Sequence, residues 1–427
     1  MAETAKTDEF AVDHATHALA ANAPLELVSK MTGKGGDGSQ DAGCILTARH
    51  IVDIRKYEWH ALSFPTSDEG VAVFIGGDEG ERGLGVQDFK KTFQTLQTHA
   101  RDWAPLERDI KDIGNKLLHF ANGMAIQAQT VVEVISDIRS QRREFKELPR
   151  NYKQLVELGF HLDPKYLAAF SLTEDDEDSK KDLKYVLNAI FDEVRHLASA
   201  TQKINTNLDT FAFNLLNVVK VEVDTRLAVL RKSQRSAVVE RQKQLVADKR
   251  EELARLEKEH RDTIKESFNA LAKGGTGDTS PIGLVVGLAT SIFTAIYMRS
   301  EANALWERRN ELSQQVDVEV AKLGKLDSKT AAMEIVSRRL EVLEDIILNA
   351  HLGLRNLALV WNAINESTKL SLNRLNKITD TYTLLMLADR VKLVASPWEN
   401  IKVDVTFLNG VFVEANNLID KEKASWI

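Results

Sequence analysis

Apolar residues recur along most of this chain at the three- and four-residue spacing of a helix that buries one stripe, and the width of that stripe changes from region to region. In "CILTARHIVDIRKYEWHALSFPT" Ile51, Ile54 and Trp59 share one face. Thr47 is placed to cap the start, and Phe64-Pro65 to end it, because the residue before a proline is pushed out of the α region. The next apolar run, Val71 to Ile75, lies between glycine-rich turns and reads as a small strand, although no other segment offers it a sheet. A helix is predicted from about Val86 to Arg101. Pro105 then suits the first turn of another, which runs to about Glu147 before Pro149 stops it. Those two prolines bracket 43 residues, interrupted by glycine only at Gly114 and Gly123. As a helix that is about 60 Å.

After Pro164 neither Gly nor Pro occurs until Gly274, a span of 109 residues. The acidic cluster "TEDDEDSKK" marks a helix start, since carboxylates favour the positive end of the helix dipole. From there to Lys273 an unbroken helix would hold about 95 residues and span about 140 Å, a rod too long for a globular domain. In its second half the stripe narrows to a seam of Val239, Val246, Leu253, Leu256, Ile264, Phe268 and Leu271, the pattern of a coiled coil. After Met298 a similar seam returns at Leu305, Leu312, Val316, Val320 and Leu323. That second helical region continues to about Ala395, contains Gly324 and Gly353, and ends before Pro397. The tail "ENIKVDVTFLNGVFVEANNLIDKEKASWI" reads as one last packing helix. Two arms with one seam each pair most simply antiparallel, with the other helices thickening the opposite end into a bundle. The expected fold is therefore all-α: an elongated helical bundle with a long antiparallel coiled-coil stalk.

Between the arms the pattern changes abruptly. "PIGLVVGLATSIFTAIYM", residues 281–298, contains no charged side chain. As a helix it is about 27 Å long, just short of the roughly 30 Å hydrocarbon core of a bilayer. Gly283, Gly287, Ser291 and Ala295 recur every fourth residue, so one face is uniformly small and suits close helix packing in lipid. The other faces carry Ile282, Leu284, Val285, Val286, Leu288, Ile292, Phe293, Ile296 and Tyr297, with Met298 beyond them. Burial of these ten side chains is worth roughly 15–30 kcal/mol gross. A protein in water rarely leaves such a surface open. Either the segment folds against the stalk until triggered, or a partner covers it. Gly274, Gly275 and Gly277 are hinge candidates, and plain loop duty explains them equally well.

Composition removes other classes. A net charge of −7 gives no reason to expect nucleic acid as the partner. One cysteine, Cys44, excludes an internal disulfide framework and has no evident partner base. The start of the chain, "MAETAKTDEFAVDHATHALAANAPLELVSK", lacks a signal-peptide apolar core, so general secretory export is not expected; release by lysis or a specialised system stays open. "TGKGGDGS" lacks the spacing of a phosphate-binding loop and reads as part of a linker. "EHRDTIKES" holds the letters of a kinase catalytic loop without the other kinase elements. His14 and His17 sit near one another without a completing ligand set, so no metal or other cofactor is expected. The basic run "RLAVLRKSQRSAVVERQKQ" reads as a solvated helix face. No catalytic constellation emerges, and the chain is not expected to be an enzyme.

The early "LTARHIVDIRKYEWHALSFPT", the long helix ending in "FNALAKGGTGDTSPIGLVVGLATSIFTAIY" and the return from "MRSEANALWERRNEL" together resemble the A components of the xenorhabdolysin-type binary toxins, the XaxA/YaxA group, α-helical pore-forming toxins related in shape to cytolysin A. The resemblance covers most of the chain in layout, and its specific matches are confined to the early segment and the hydrophobic hairpin. It implies a rod with a helical tail, a coiled-coil neck and a hydrophobic head, soluble as secreted. Two components then assemble on a target-cell membrane into a hetero-oligomeric ring-shaped pore, the partner being a B component. On this sequence the expected organisation is an N-terminal segment and linker at 1–43, a tail bundle at 44–235 and 335–427, a neck at 236–273 and 299–334, and a membrane-interacting head at 274–298. Thr290, Ser291 and Thr294 inside the head leave open whether this subunit spans the bilayer or activates a partner that does. The alternatives are a single-component cytolysin and an intracellular coiled-coil scaffold whose apolar segment is buried.

Overall fold

A computed structural model of the 427-residue chain describes residues 16–24, 46–76, 82–141, 170–232, 237–273, 315–324 and 327–422, with positions 145, 148, 154, 308–309 and 311–313 besides. Among the described residues the secondary structure is helical, apart from one isolated bridge between Ser171 and Asp380. The named helices are α1 Ala48–Ser63, α2 Asp68–Ile75, α3 Val86–Arg101, α4 Trp103–Gln141, α5 Glu174–Asn214, α6 Lys220–Lys232, α7 Ala237–Lys273, α8 Ser328–Leu375, α9 Thr381–Ala395 and α10 Trp398–Glu422.

Local chemistry accounts for their ends. The Thr47 hydroxyl accepts from the His50 backbone N–H at 3.1 Å, and His50 Nδ1 accepts from the Thr47 N–H at 3.3 Å, so α1 begins on a reciprocal cap as its sequence predicts. The acidic cluster likewise opens α5. Thr173 caps it, and the Asp176 carboxylate accepts from the Thr173 N–H at 2.8 Å and from the Thr381 hydroxyl at 2.9 Å. That second bond ties the start of α5 to the start of α9. The run Val71–Ile75 is helical, not extended: it forms most of α2. The Ser67 hydroxyl accepts from the Gly70 N–H, Asp68 and Glu69 occupy the first turn, and Gly76 closes the helix at φ 74°. The return region also breaks earlier than expected, after Leu375, because the Asp380 carboxylate caps α9 through the Thr383 N–H at 2.8 Å.

Helices α4, α5, α8 and α10 carry the long dimension; the 48 residues of α8 alone make about 72 Å. Their core centres on aromatic contacts among Phe120, Trp361 and Trp398, all buried. Near its end α5 passes through a π-helical turn, Leu215–Val219, before continuing as α6. Leu215 and Val219 face inward there, whereas Phe213, Leu216, Val218 and Val221 stay exposed.

Candidate functional site: a folded neck

Helix α7 pairs with the returning residues 308–324. The Gln242 amide donates to Glu319 Oε2 at 2.9 Å, Lys249 Nζ to Gln315 Oε1 at 2.9 Å, and Arg309 Nε to Glu257 Oε1 at 3.3 Å. Positions rise on one side as they fall on the other, so the pair is antiparallel. Between the two lies a buried cluster of its own, with Val239, Val246 and Leu253 on α7 facing Leu312, Val316, Val320 and Leu323. Leu256 packs against it, and Ala331 and Ile335 of α8 close one side. The narrow seam read from the sequence is formed at these positions; Leu305 and the side chains of Ile264, Phe268 and Leu271 lie outside those described.

The neck does not extend the tail. Glu334 of α8 receives both Arg231 of α6, at 2.6 Å, and Arg250 of α7. Glu344 receives Lys220 at 3.0 Å and Arg261 at 3.5 Å. In one straight helix Lys220 and Arg261 would stand about 60 Å apart and could not share a carboxylate. The chain therefore reverses between Lys232 and Ala237, and α7 runs back along α6 with both against α8. Lys243 Nζ, donating to the Leu230 carbonyl at 3.1 Å, fastens the turn. This overturns the expected unbroken helix to Lys273. The physical reason lies in the stripe, which lapses from Arg231 to Ser236 into six polar residues. With no apolar side chain to hold a straight course, distant pairing decides the direction. On the return side residue 324 ends the helical run and Asp327 caps α8, its carboxylate accepting from the Thr330 N–H at 3.2 Å.

Between α6, the folded neck and α8 runs a layer of ion pairs. Lys220, Arg231, Arg250, Arg261 and Arg309 interleave with Glu257, Glu334, Glu341, Glu344 and Asp345. The centre is dry: Arg309, Glu257 and Asp345 are 1%, 1% and 0% exposed. Burial pushes the Asp345 carboxyl up to about 7, with Arg309 and Arg261 opposing the rise and Glu257 and Glu344 adding to it. The unfolded chain loses this proton near pH 4 and the folded chain near pH 7, so the folded state binds more protons in between. The Asp345 contribution to stability thus falls as pH rises from about 4 to about 7, by on the order of 4 kcal/mol. Chemical denaturation at pH 5 and pH 8 checks this. Asp345→Asn is expected to flatten that loss, and an unchanged slope would contradict the assignment.

The sequence-predicted head residues, Ile282 to Tyr297 with the small face Gly283, Gly287, Ser291 and Ala295, lie outside the described residues, as do the hinge candidates Gly274, Gly275 and Gly277. The structure describes the helix that leads to them and the one that returns. Among the described residues no helix is long and apolar enough to cross a membrane. His14 and Cys44 also lie outside, whereas His17 is buried with Nδ1 2.5 Å from the Ser367 hydroxyl. The basic run is not simply solvated. Arg226 is buried, donating to Thr92 Oγ1 at 3.1 Å, to Glu222 at 3.0 Å and to the Gly83 carbonyl, and Arg231 joins the ionic layer. The sequence reading missed that layer, yet its signal is present: Arg250, Glu257 and Arg261 on α7, and Glu334, Glu341 and Glu344 on α8, recur at helical spacing along one face each.

No protein-family model and no curated protein matches the chain. Solved structures similar to it include a component of a tripartite α-pore-forming toxin and a chain of a pore complex. YaxA from Yersinia enterocolitica is 17% identical, with 89% of this chain and 100% of that one covered, at a TM-score of 0.43. A chain of the XaxAB pore complex from Xenorhabdus nematophila is 16% identical over 88% and 100%, at 0.41. Soluble SmhA, of the tripartite toxin Smh from Serratia marcescens, is 13% identical over 92% and 96%, at 0.45.

Proposed function

We propose that the chain is a subunit of a binary α-helical pore-forming toxin: released in soluble form, it engages a target-cell membrane through residues 274–298 and assembles with a B component into an oligomeric pore. One observation carries the reading. In the sequence the 18-residue uncharged run links two charged helical arms that pair antiparallel through a narrow seam, which supports reading those arms as a neck and the run as its head. Neither helix offers a broad apolar face to cover it, and lipid supplies one. The sequence resemblance to the xenorhabdolysin A components supports the same class and supplies the partner. The proposed role needs no catalytic group; membrane insertion is a binding reaction driven by burial of apolar surface.

Dye release from lipid vesicles tests the reading, with this chain alone and with a second long helical protein encoded beside it added as the candidate B component. Gly287→Arg is expected to abolish release, because a charge near the bilayer centre is opposed by about 2.5–3.5 kcal/mol or more and the small face is lost. Lys181→Glu, a swap on an exposed side chain of α5, is expected to leave release unchanged. Release by the chain alone points to the single-component cytolysin. No vesicle binding with or without the second protein, together with a stable oligomer in plain buffer, points to the scaffold and overturns the proposal.

A further inference from the structure

The two reversals of the neck fall at matching levels. From the Lys220–Glu344 pair to the Glu257–Arg309 pair the outgoing arm advances 37 residues and the return arm 35. The pairing of α6 with α8 and the pairing of α7 with residues 308–324 therefore belong to one antiparallel register that continues across both turns. Such a packet opens without slip between its arms: α6 and α7 become one helix, residues 308–324 and α8 the other. The sequence permits it. Residues 233–236 are Ser-Gln-Arg-Ser and 325–326 are Lys-Leu, with no proline at either turn and a glycine only at Gly324.

The chemistry is divided in a way that suits opening. Apolar side chains such as Val246 and Val316 join the two strands of the neck to each other. The face between neck and α8 is held largely by Arg250 with Glu334, Arg261 with Glu344, and Arg309 with Asp345. Separated apolar surfaces lose in water, but separated ions regain hydration, so a buried ionic face is exchanged for solvent with little net change.

We propose that the neck is stored folded in half against the bundle, and that this ionic layer is a clasp whose release straightens both arms together and carries residues 274–298 outward. The inference rests on the membrane reading for its biological use, while the clasp stands on the geometry. Straightening moves the end of α7, 37 residues long, to about 55 Å beyond the turn. Arg309 and Asp345 are the centre of the clasp, since both are fully buried and neither is one of the apolar side chains of the seam; Arg309 also ties the two neck arms through Glu257. Arg309→Asp sets a third carboxylate beside Asp345 and Glu257 and leaves Arg261 to offset them, whereas reversing Arg309 and Asp345 together keeps the pair.

Spin labels at Asp224→Cys and Arg255→Cys in the full chain carrying Cys44→Ser report the state. Both positions are exposed and level with one another in the folded packet, but 31 residues apart, about 46 Å, in a straight helix. The parent chain is expected to give the short distance. Arg309→Asp is expected to shift the ratio of long to short by on the order of a hundredfold. Arg309→Asp with Asp345→Arg is expected to restore the short distance, which a variant that had merely unfolded would not do. Arg309→Met with Asp345→Leu is expected to keep the neck folded even with vesicles present. A short distance retained in Arg309→Asp overturns the clasp. Dye release measured in the same samples separates the two ideas: release while the distance stays short overturns the clasp alone, and straightening without release overturns the membrane reading alone.

Discussion

Replacing Trp361 with alanine lowers the stability of the helical bundle by about 4 kcal/mol. The side chain is 0% exposed and sits where four long helices meet. Its ring lies edge-on to Phe120 of α4 at 5.4 Å and stacks with Trp398 of α10 at 6.4 Å, while its indole N–H donates to Thr201 of α5 at 3.1 Å. Truncation removes an aromatic payload, opens a cavity between helices that cannot collapse independently, and takes a donor from a buried hydroxyl. Trp361→Phe keeps much of the volume and is expected to lose less than half as much. Urea denaturation followed by far-ultraviolet circular dichroism measures both, and a loss under about 1 kcal/mol for the alanine variant would contradict this packing.

Val246→Asp is expected to act elsewhere and on less of the molecule. Val246 is 1% exposed in the neck seam, opposite Val316 and Val320. A carboxylate there is buried without a partner, which costs roughly 3 kcal/mol or more unless the seam opens to water. The seam forms a buried cluster separate from that of the tail, so opening it leaves the tail core intact. Hydrogen exchange is expected to rise by at least tenfold across α7 and residues 315–324, with protection in α4 and α5 unchanged. Uniform loss of protection throughout the chain would mean that neck and tail melt as one unit.

These two residues also mark what the sequence makes legible. Val246 is found by spacing alone, because a seam of one apolar residue per two turns among charges has few other readings. The caps at Thr47 and Thr173 are equally local, each a hydroxyl three residues ahead of the N–H it accepts from. Val71–Ile75 is ambiguous by periodicity, since five apolar residues fit a buried strand or a short helix. Ser67, Asp68 and Glu69 carry the deciding signal, a cap followed by two acids. The folded neck is a different kind of miss. It depends on Arg231 and Arg250 meeting the same Glu334 across 103 and 84 positions, and no local preference encodes that meeting. Absence of glycine and proline permits a straight helix without requiring one. The uncharged run is the reverse case: its composition is plain in the sequence, and the described structure bears on it only through the helices on either side.

The wide turn at Leu215–Val219 has a consequence for how this chain tolerates change. A π-turn holds about one residue more than an α-turn, so deleting one amino acid there lets it close to an ordinary α-turn with the downstream faces nearly unmoved, whereas a deletion elsewhere in the helix would swivel everything beyond it by about 100°. A deletion that the wide turn did not absorb would take Val223, Leu227 and Leu230 out of the interior and point Lys220 and Arg231 away from Glu344 and Glu334. Exchanges at the exposed Phe213 or Val218 disturb only their own surroundings, so this turn is the stretch of the long helix where both the identity and, by one, the number of residues have slack.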